Sequence, residues 1–249
     1  METEKKKQTI KFWMAVSIIA LIVVTVIAIM IRYEVEGDQN MPYNLSKIVI
    51  VSTAEGIEKG GETNKKWRFN IFQNNDIYFY IDKNTGYMGK EKLIEKVRIE
   101  NIQITVEPKI GEIKTYMPNS VEGRIFEYSD EYLVQDKLEY RGGSKSNSQT
   151  LEIGSQGGNA IIRFSNTNFG EYSSDKDTEI IHDGTLLNKL EISEEDIKFE
   201  VTFDFIISVD GCTYKSNIKL NLPCENIMEQ GTSSLEITDM SNIVFKRVN

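Results

Sequence analysis

Apolar and polar residues follow two regimes along this chain. From Phe12 to Ile31, FWMAVSIIALIVVTVIAIMI, the residues run without a charge, a proline or a glycine. Beyond that stretch, apolar residues recur at every second position in short pieces divided by glycine-rich and charged turns. The first regime predicts a helix long enough to cross a bilayer, since ~20 residues at ~1.5 Å of rise cover ~30 Å of hydrocarbon. The second predicts strands, because successive side chains of a strand face opposite sides of the sheet.

Two other readings of Phe12 to Ile31 fit less well. A cleaved signal sequence has a shorter apolar region, about 7–15 residues, before a small-residue site. Val26-Ile27-Ala28 has that form, but apolar residues continue to Ile31. A buried core helix carries a polar face, and only Ser17 and Thr25 interrupt this one. Lys5, Lys6, Lys7 and Lys11 precede the span, whereas Arg32 and the distant Lys47 are the basic residues soon after it. The positive-inside rule then leaves residues 1–11 as a cytoplasmic tail, 12–31 as the transmembrane helix and the rest outside the cell. Trp13 and Tyr33 stand where interfacial aromatic anchors belong. A tail of that length is too short to bury a core and signal on its own.

After a polar tether at 32–44, broken by Gly37 and Pro42, the strand signals begin. Ile48 to Val51 is a continuous apolar run, as in a strand buried on both faces. Glu55 to Lys66 reads as a loop, Trp67 to Ile71 as a half-buried strand, and Ile77 to Ile81 as another, closed by the turn Asp82 to Gly86. Lys90 to Lys96 suits a short helix. In the next stretch Val97 and Ile99 are apolar at odd positions but Ile102, Ile104 and Val106 at even ones. A change of phase needs an extra residue, which predicts a β-bulge near Glu100-Asn101 or a bend between sheets. Short apolar pieces at Ile125-Phe126 and Leu133-Val134 follow, then Leu151 to Ile153, a Gly157-Gly158 turn and a strand at Ala160 to Phe164.

The clearest pattern lies at Ile197 to Leu222. Odd positions from Ile197 to Val209 are apolar, Asp210-Gly211 is a favoured two-residue turn, and apolar residues recur at even positions on the way back. Counting outward from the turn pairs Val209 with Cys212, Phe203 with Ile218 and Val201 with Leu220 on one face, and Thr202 with Lys219 and Glu200 with Asn221 on the other. Ser193 before Glu194-Glu195-Asp196 reads as an N-capped helical turn entering the hairpin. A last strand is expected at Ile243 to Val248. One long hairpin with a single apolar face requires a second layer. The expectation is therefore a mainly β chain: an N-terminal transmembrane helix followed by an antiparallel β-sandwich at 45–249, of jelly-roll or immunoglobulin-like topology. The segment 142–148, GGSKSNS, is the place where that domain would divide.

Charge narrows the partners. Of 29 basic and 38 acidic residues, five and two lie in residues 1–32, leaving 24 against 36 and a net −12 for the remainder. Such a surface repels nucleic acid and anionic headgroups. The partners expected are the bilayer, through Phe12 to Ile31, and a protein or cell-wall polymer. The two cysteines sit at opposite ends of one strand, some 12 extended residues or roughly 40 Å apart, while a disulfide needs Cα atoms within ~7 Å. Two free thiols follow, with Cys212 on the apolar face.

Candidate chemistry is sparse, and no catalytic residue or cofactor site is implied. His182 is the single histidine, so no multi-histidine metal site is available. Its acidic surroundings, Asp175, Asp177, Glu179 and Asp183, offer oxygen ligands of the kind calcium takes, at a spacing that matches no metal loop and equally suits a solvated loop. Asp82 to Gly86 begins like a calcium loop, but its glycine comes fifth and position twelve is Leu93. Ser173 to Lys176 and Ser216 to Lys219 match S-x-x-K, which needs both side chains on one helical turn. Gly154 to Gly158 lacks the lysine of a phosphate loop. A glycosidase pair would need two carboxylates at a set separation, with Trp67 as a sugar-stacking aromatic, although its alternation with Phe69 and Ile71 also suits the core. Asn44-Leu45-Ser46 is a glycosylation triplet.

The order of a lysine-rich start (Lys5, Lys6, Lys7), an apolar helix and an exported β domain is similar to that of minor pilins and pseudopilins. The resemblance covers the N-terminal region alone. Neither the glycine preceding the apolar segment in those families nor their early glutamate occurs in Thr9 to Ile31, and Gly37 and Pro42 interrupt the chain where their helix continues. The expected function is a membrane-anchored surface protein with a binding or structural role. The alternatives are an anchored polysaccharide hydrolase and a pilin-like subunit.

Overall fold

The computed structural model describes residues 2–35, 41–58, 67–119, 125–143, 151–174 and 185–248. Helix α1, Glu2–Val35, contains the apolar segment Ile10–Met30. The chain then forms strands β1 (Tyr43–Glu58), β2 (Trp67–Lys83), β3 (Ile94–Val106), β4 (Glu112–Tyr116), β5 (Lys137–Gly142), β6 (Leu151–Ile153), β7 (Gly158–Thr167) and β8 (Glu171–Ser174). One-turn helices α2 (Thr185–Asn188) and α3 (Glu194–Ile197) lead into β9 (Phe199–Val209) and β10 (Cys212–Leu222). Helix α4 (Ile227–Gln230) and strands β11 (Thr232–Ile237) and β12 (Lys246–Arg247) complete the described elements.

Two six-stranded sheets result, and among the described residues only the β5–β6 pair is parallel. The first runs β11-β1-β2-β7-β4, with β8 pairing the start of β2; the second runs β12-β10-β9-β3-β5-β6. Their inner faces share one core. Phe79 of β2 meets Phe203 and Phe205 of β9 with ring centroids 5.7 and 4.8 Å apart, and Ile48, Ile50, Ile77 and Ile81 face Val97, Ile99, Val201 and Ile207. Aromatic pairs at such spacings add to the area they bury. This is a mainly β chain with a sandwich of antiparallel sheets. Strands from before and after 142–148 interleave in both sheets.

The β9–β10 hairpin has the expected register: Cys212 pairs with Val209, Ile218 with Phe203, Leu220 with Val201, Lys219 with Thr202 and Asn221 with Glu200. Asp210 (φ 43°) and Gly211 (φ 76°) both take the left-handed conformation that a two-residue I′ turn requires. Ser193 precedes α3, where the Asp196 carboxylate accepts the Ser193 backbone N–H at 3.1 Å. The bulge also falls where the phase of the pattern changes. Glu100 pairs with Asp204 but Gln103 with Thr202, and Asn101 takes φ 55°.

Several expectations are corrected. Residues 90–96 are not a helix; the chain is irregular to Leu93 and enters β3 at Ile94. A second register shift between Ile104 and Val106 turns Val106 out, leaving it 52% exposed. The final strand is two residues long, with Ile243 to Phe245 irregular before it. Cys212 and Cys224 are free, and Cys224 rather than Cys212 is the buried thiol. Val49 and Val51 are half-buried, so β1 is covered fully on one face only. Gly142 belongs to β5, where a Cβ would lie 1.9 Å from the Ile94 carbonyl oxygen.

The largest departure concerns β1 and β2. They form one long hairpin arm, paired from Tyr43–Lys83 to Glu58–Phe69, where the pattern predicts three shorter strands, at 48–51, 67–71 and 77–81, and a loop from Glu55. The polar stretch Gln73-Asn74-Asn75 lies in the middle of β2 and is buried, as are Ser52, Ser165 and Asn166 on its neighbours. This belt divides the main core from a smaller one at the base, built from Ala54, Ile71, Phe169, Leu186, Leu187, Ile192, Ile197 and Ile227.

Candidate functional site

Alternation along β2 sends Gln73 and Asn75 to the inner face and Asn74 and Asp76 to the outer one. On the inner face, the Ser52 hydroxyl donates to Asn75 Oδ1 at 2.7 Å, Gln73 Nε2 donates to the same oxygen at 2.8 Å, and Asn75 Nδ2 donates to Gln73 Oε1 at 3.0 Å. Ser52 Oγ also accepts the Cys224 N–H at 2.9 Å, which ties the Pro223-Cys224 turn under β1. Asn166 Nδ2 donates to the Ile110 carbonyl, while its Oδ1 is buried without a protein partner. Apart from that oxygen, the buried amides of the belt are held by hydrogen bonds to one another and to the backbone, which offsets the cost of taking them out of water.

On the outer face Phe126 and Tyr128, in an irregular stretch, lie over the sheet. Arg163 of β7 makes a bidentate pair with Asp76, Nη2 to Oδ2 being 2.8 Å and Nε donating to Oδ1. The two side chains are 11% and 15% exposed. Phe126 covers the guanidinium at 4.3 Å from ring centroid to Cζ, and Tyr128 packs edge-on against Phe72 at 4.9 Å. The Tyr128 hydroxyl accepts from Asn74 Nδ2 at 2.6 Å and from Arg163 Nη1 at 3.0 Å, and donates to Glu55 Oε2 at 3.1 Å. Burial pushes the Tyr128 phenol well above its ordinary value, against the opposing pull of Arg163. Burial also works against the charge on Arg163, but the hydrogen bonds and charge of Asp76 outweigh it and hold the guanidinium protonated. Neither the Tyr128 phenol nor the Arg163 guanidinium therefore gives up its proton near neutrality, and the Tyr128 oxygen is saturated. The chemistry of the cluster is that of a lock holding residues 125–128 on the sheet.

The sequence-based candidates do not converge on it. Asp175, Asp177, Glu179, His182 and Asp183 lie outside the described residues, as does the Trp67 side chain. Among the described residues no group of three or more histidine, cysteine or carboxylate side chains is placed to hold a metal. Ser216 is buried and Lys219 exposed on β10, so that S-x-x-K match points to opposite faces; Asp175 and Lys176 of the other lie outside the described residues. Asp82 to Gly86 is a turn, with Asn84 Oδ1 accepting the Gly86 N–H at 2.9 Å. The two carboxylates of this cluster, Asp76 and Glu55, are engaged by Arg163 and Tyr128. Arg163, Asp76, Asn74 and Tyr128 were missed; the one signal for them is a charge at Arg163 within an apolar strand and the run QNND between two alternating stretches.

The other built feature is a groove of about 620 Å³ at the base of the sandwich. Val106, Phe199, Leu222, Pro223 and Leu235 form its apolar walls, and Lys198, Glu200 and Glu225 its charged rim. It lies where the ends of β3 and β10 and the start of β9 meet β11. Leu235 and Val106 are 47% and 52% exposed there. Comparison with protein-family models, with curated proteins and with solved structures finds no match to this chain.

Proposed function

We propose that this protein is a single-pass membrane protein, with its N-terminus in the cytoplasm and its β-sandwich outside the cell in a binding or structural role. One observation carries the reading. From Phe12 to Met30 the helix is apolar on every side and buries none of that surface against the sandwich; Phe12, Trp13 and Leu21 are 63%, 62% and 68% exposed. A helix of this kind needs a nonpolar surrounding. Its two hydroxyls are satisfied internally, Ser17 Oγ donating to the Trp13 carbonyl at 2.9 Å and Thr25 Oγ1 to that of Leu21 at 2.8 Å, as a lipid-facing helix requires. Lys5, Lys6, Lys7 and Lys11 support the N-in orientation. The acidic, compact sandwich supports a role in contact rather than in nucleic-acid or headgroup binding.

Membrane fractionation tests the anchor. The full-length chain should stay in the membrane pellet after an alkaline carbonate wash. Leu21→Arg with Val24→Arg, at about 2.5–3.5 kcal/mol each for a charge at a helix centre, should move it to the supernatant. A wild-type chain released by the wash contradicts the reading.

A further inference from the structure

The edge of β11 is open, and its hydrogen-bonding phase is fixed. The Ala54 N–H donates to the Gly231 carbonyl at 2.7 Å, so with the register Ser52–Ser233, Ile50–Leu235, Ile48–Ile237 the backbones of Ser233, Leu235 and Ile237 face β1. The N–H and C=O groups of Thr232, Ser234 and Glu236 consequently point away from the sheet. Among the described residues no strand pairs with that side.

Natural edges are blunted by proline, lysine or a bulge. The sequence Thr-Ser-Ser-Leu-Glu-Ile of β11 contains neither residue, and its register with β1 is unbroken. Beside this edge lies the basal groove, with Leu235, Phe199, Leu222 and Val106 turned into it. The charges around the groove are unequal. Lys198 is shared by Glu194 at 3.2 Å and Glu195 at 2.6 Å, and Lys219 pairs with Glu200 at 2.6 Å. Of the charged residues that line the groove, Lys198 stands against Glu200 and Glu225, a net −1.

We propose that the basal groove binds an extended, positively charged peptide segment of a partner protein, which adds as a strand to the free edge of β11. Three outward backbone pairs hold the segment in register, an apolar side chain of the segment covers Leu235 inside the groove, and a lysine or arginine two residues along answers Glu225. Main-chain bonds supply affinity and the alternate side chains specificity, as in strand addition generally. The inference rests on the sandwich being a binding module, and not on which side of the membrane it occupies.

The test uses full-length protein in detergent micelles and a labelled six-residue probe, acetyl-Thr-Val-Thr-Lys-Thr-Lys-amide, which places Val and Lys two residues apart on one face, read by fluorescence anisotropy. Two controls accompany it, the same peptide with Pro at the central positions and one with Glu for Lys. The first probe should bind, and both controls should bind at least about tenfold more weakly. Leu235→Asp should weaken binding by about tenfold or more. Ser234→Pro removes one outward donor at an edge position where proline is tolerated, so it should fold with an unchanged far-UV spectrum and still lose binding. Absence of binding, equal binding of the proline control, or unchanged binding to Ser234→Pro overturns the proposal. So does a wild-type chain that is dimeric in micelles and becomes monomeric with Ser234→Pro, since the edge would then belong to a second copy. None of these results touches the carbonate-wash test of the anchor.

Discussion

The two long hairpins of this sandwich lie face to face and are built on different rules. In β9–β10 every inward residue but Ser216 is apolar or a cysteine, and the turn carries the Asp-Gly pair its geometry requires. In β1–β2 the inward row passes from Ile77, Phe79 and Ile81 through Asn75 and Gln73 before returning to Ile71. The first hairpin is held by apolar contact, which tolerates small errors of shape. The second depends at its centre on amides that must find one another, so it specifies one register more strictly and fails more abruptly when a partner is lost.

The largest effect should come from the outer face of the second hairpin. Arg163→Ala leaves Asp76 ionised and nearly buried, at a cost of about 3–5 kcal/mol in urea unfolding of the solubilised chain. The double change Arg163→Met with Asp76→Leu removes both charges and should recover most of that loss. A double variant no better than the single one would show that the cluster is not an ion-pair lock.

Next is the inner belt. Asn75→Ala strands Ser52, Gln73 and the Phe164 carbonyl, all of which it meets, and should cost about 1–3 kcal/mol. Because Ser52 also holds the Cys224 N–H, the thiol of Cys224, now buried, should react faster with a thiol reagent in this variant. The matched change in the first hairpin, Ile218→Val opposite Phe203, removes one methylene and should cost about 0.5–1.5 kcal/mol without altering Cys224 reactivity.

The smallest effect is electrostatic. Burial raises the pKa of Asp204, but hydrogen bonds from Asn101, Asn217 and Lys215 outweigh it and hold the carboxyl below its usual range. A folded-state pKa below the unfolded one gives stability that is present above the ordinary carboxylate range and is lost as pH falls through the folded value. Acid unfolding of Asp204→Asn should therefore show a shallower loss below about pH 4, by less than about 1 kcal/mol.

The same contrast explains what was legible. Periodicity reads hydrophobicity, so it recovers the register of β9–β10, the bulge near Asn101 and an apolar helix, although that helix extends beyond 12–31 to Glu2 and Val35. It misreads β2 because Gln73 to Asn75 are buried by mutual hydrogen bonding, which leaves a polar signature indistinguishable from a loop. It missed the Arg163 cluster for a related reason: Asp76, Arg163 and Tyr128 are 35 to 87 residues apart along the chain, and the β2–β7 pairing together with the irregular segment that carries Tyr128 brings them together. The groove was illegible too, since its walls come from β3, β9, β10 and β11, whose contributing residues lie far apart along the chain.

Sidedness is the most direct test of the central reading. With Cys212 and Cys224 replaced by Ser and Ala, a single cysteine is placed at Lys137, 53% exposed on the sandwich, or at Lys5 before the span. A membrane-impermeant maleimide added to intact cells should label Lys137→Cys at once and Lys5→Cys only after permeabilisation. Labelling of Lys5→Cys on intact cells, or protection of Lys137→Cys until the membrane is opened, contradicts it.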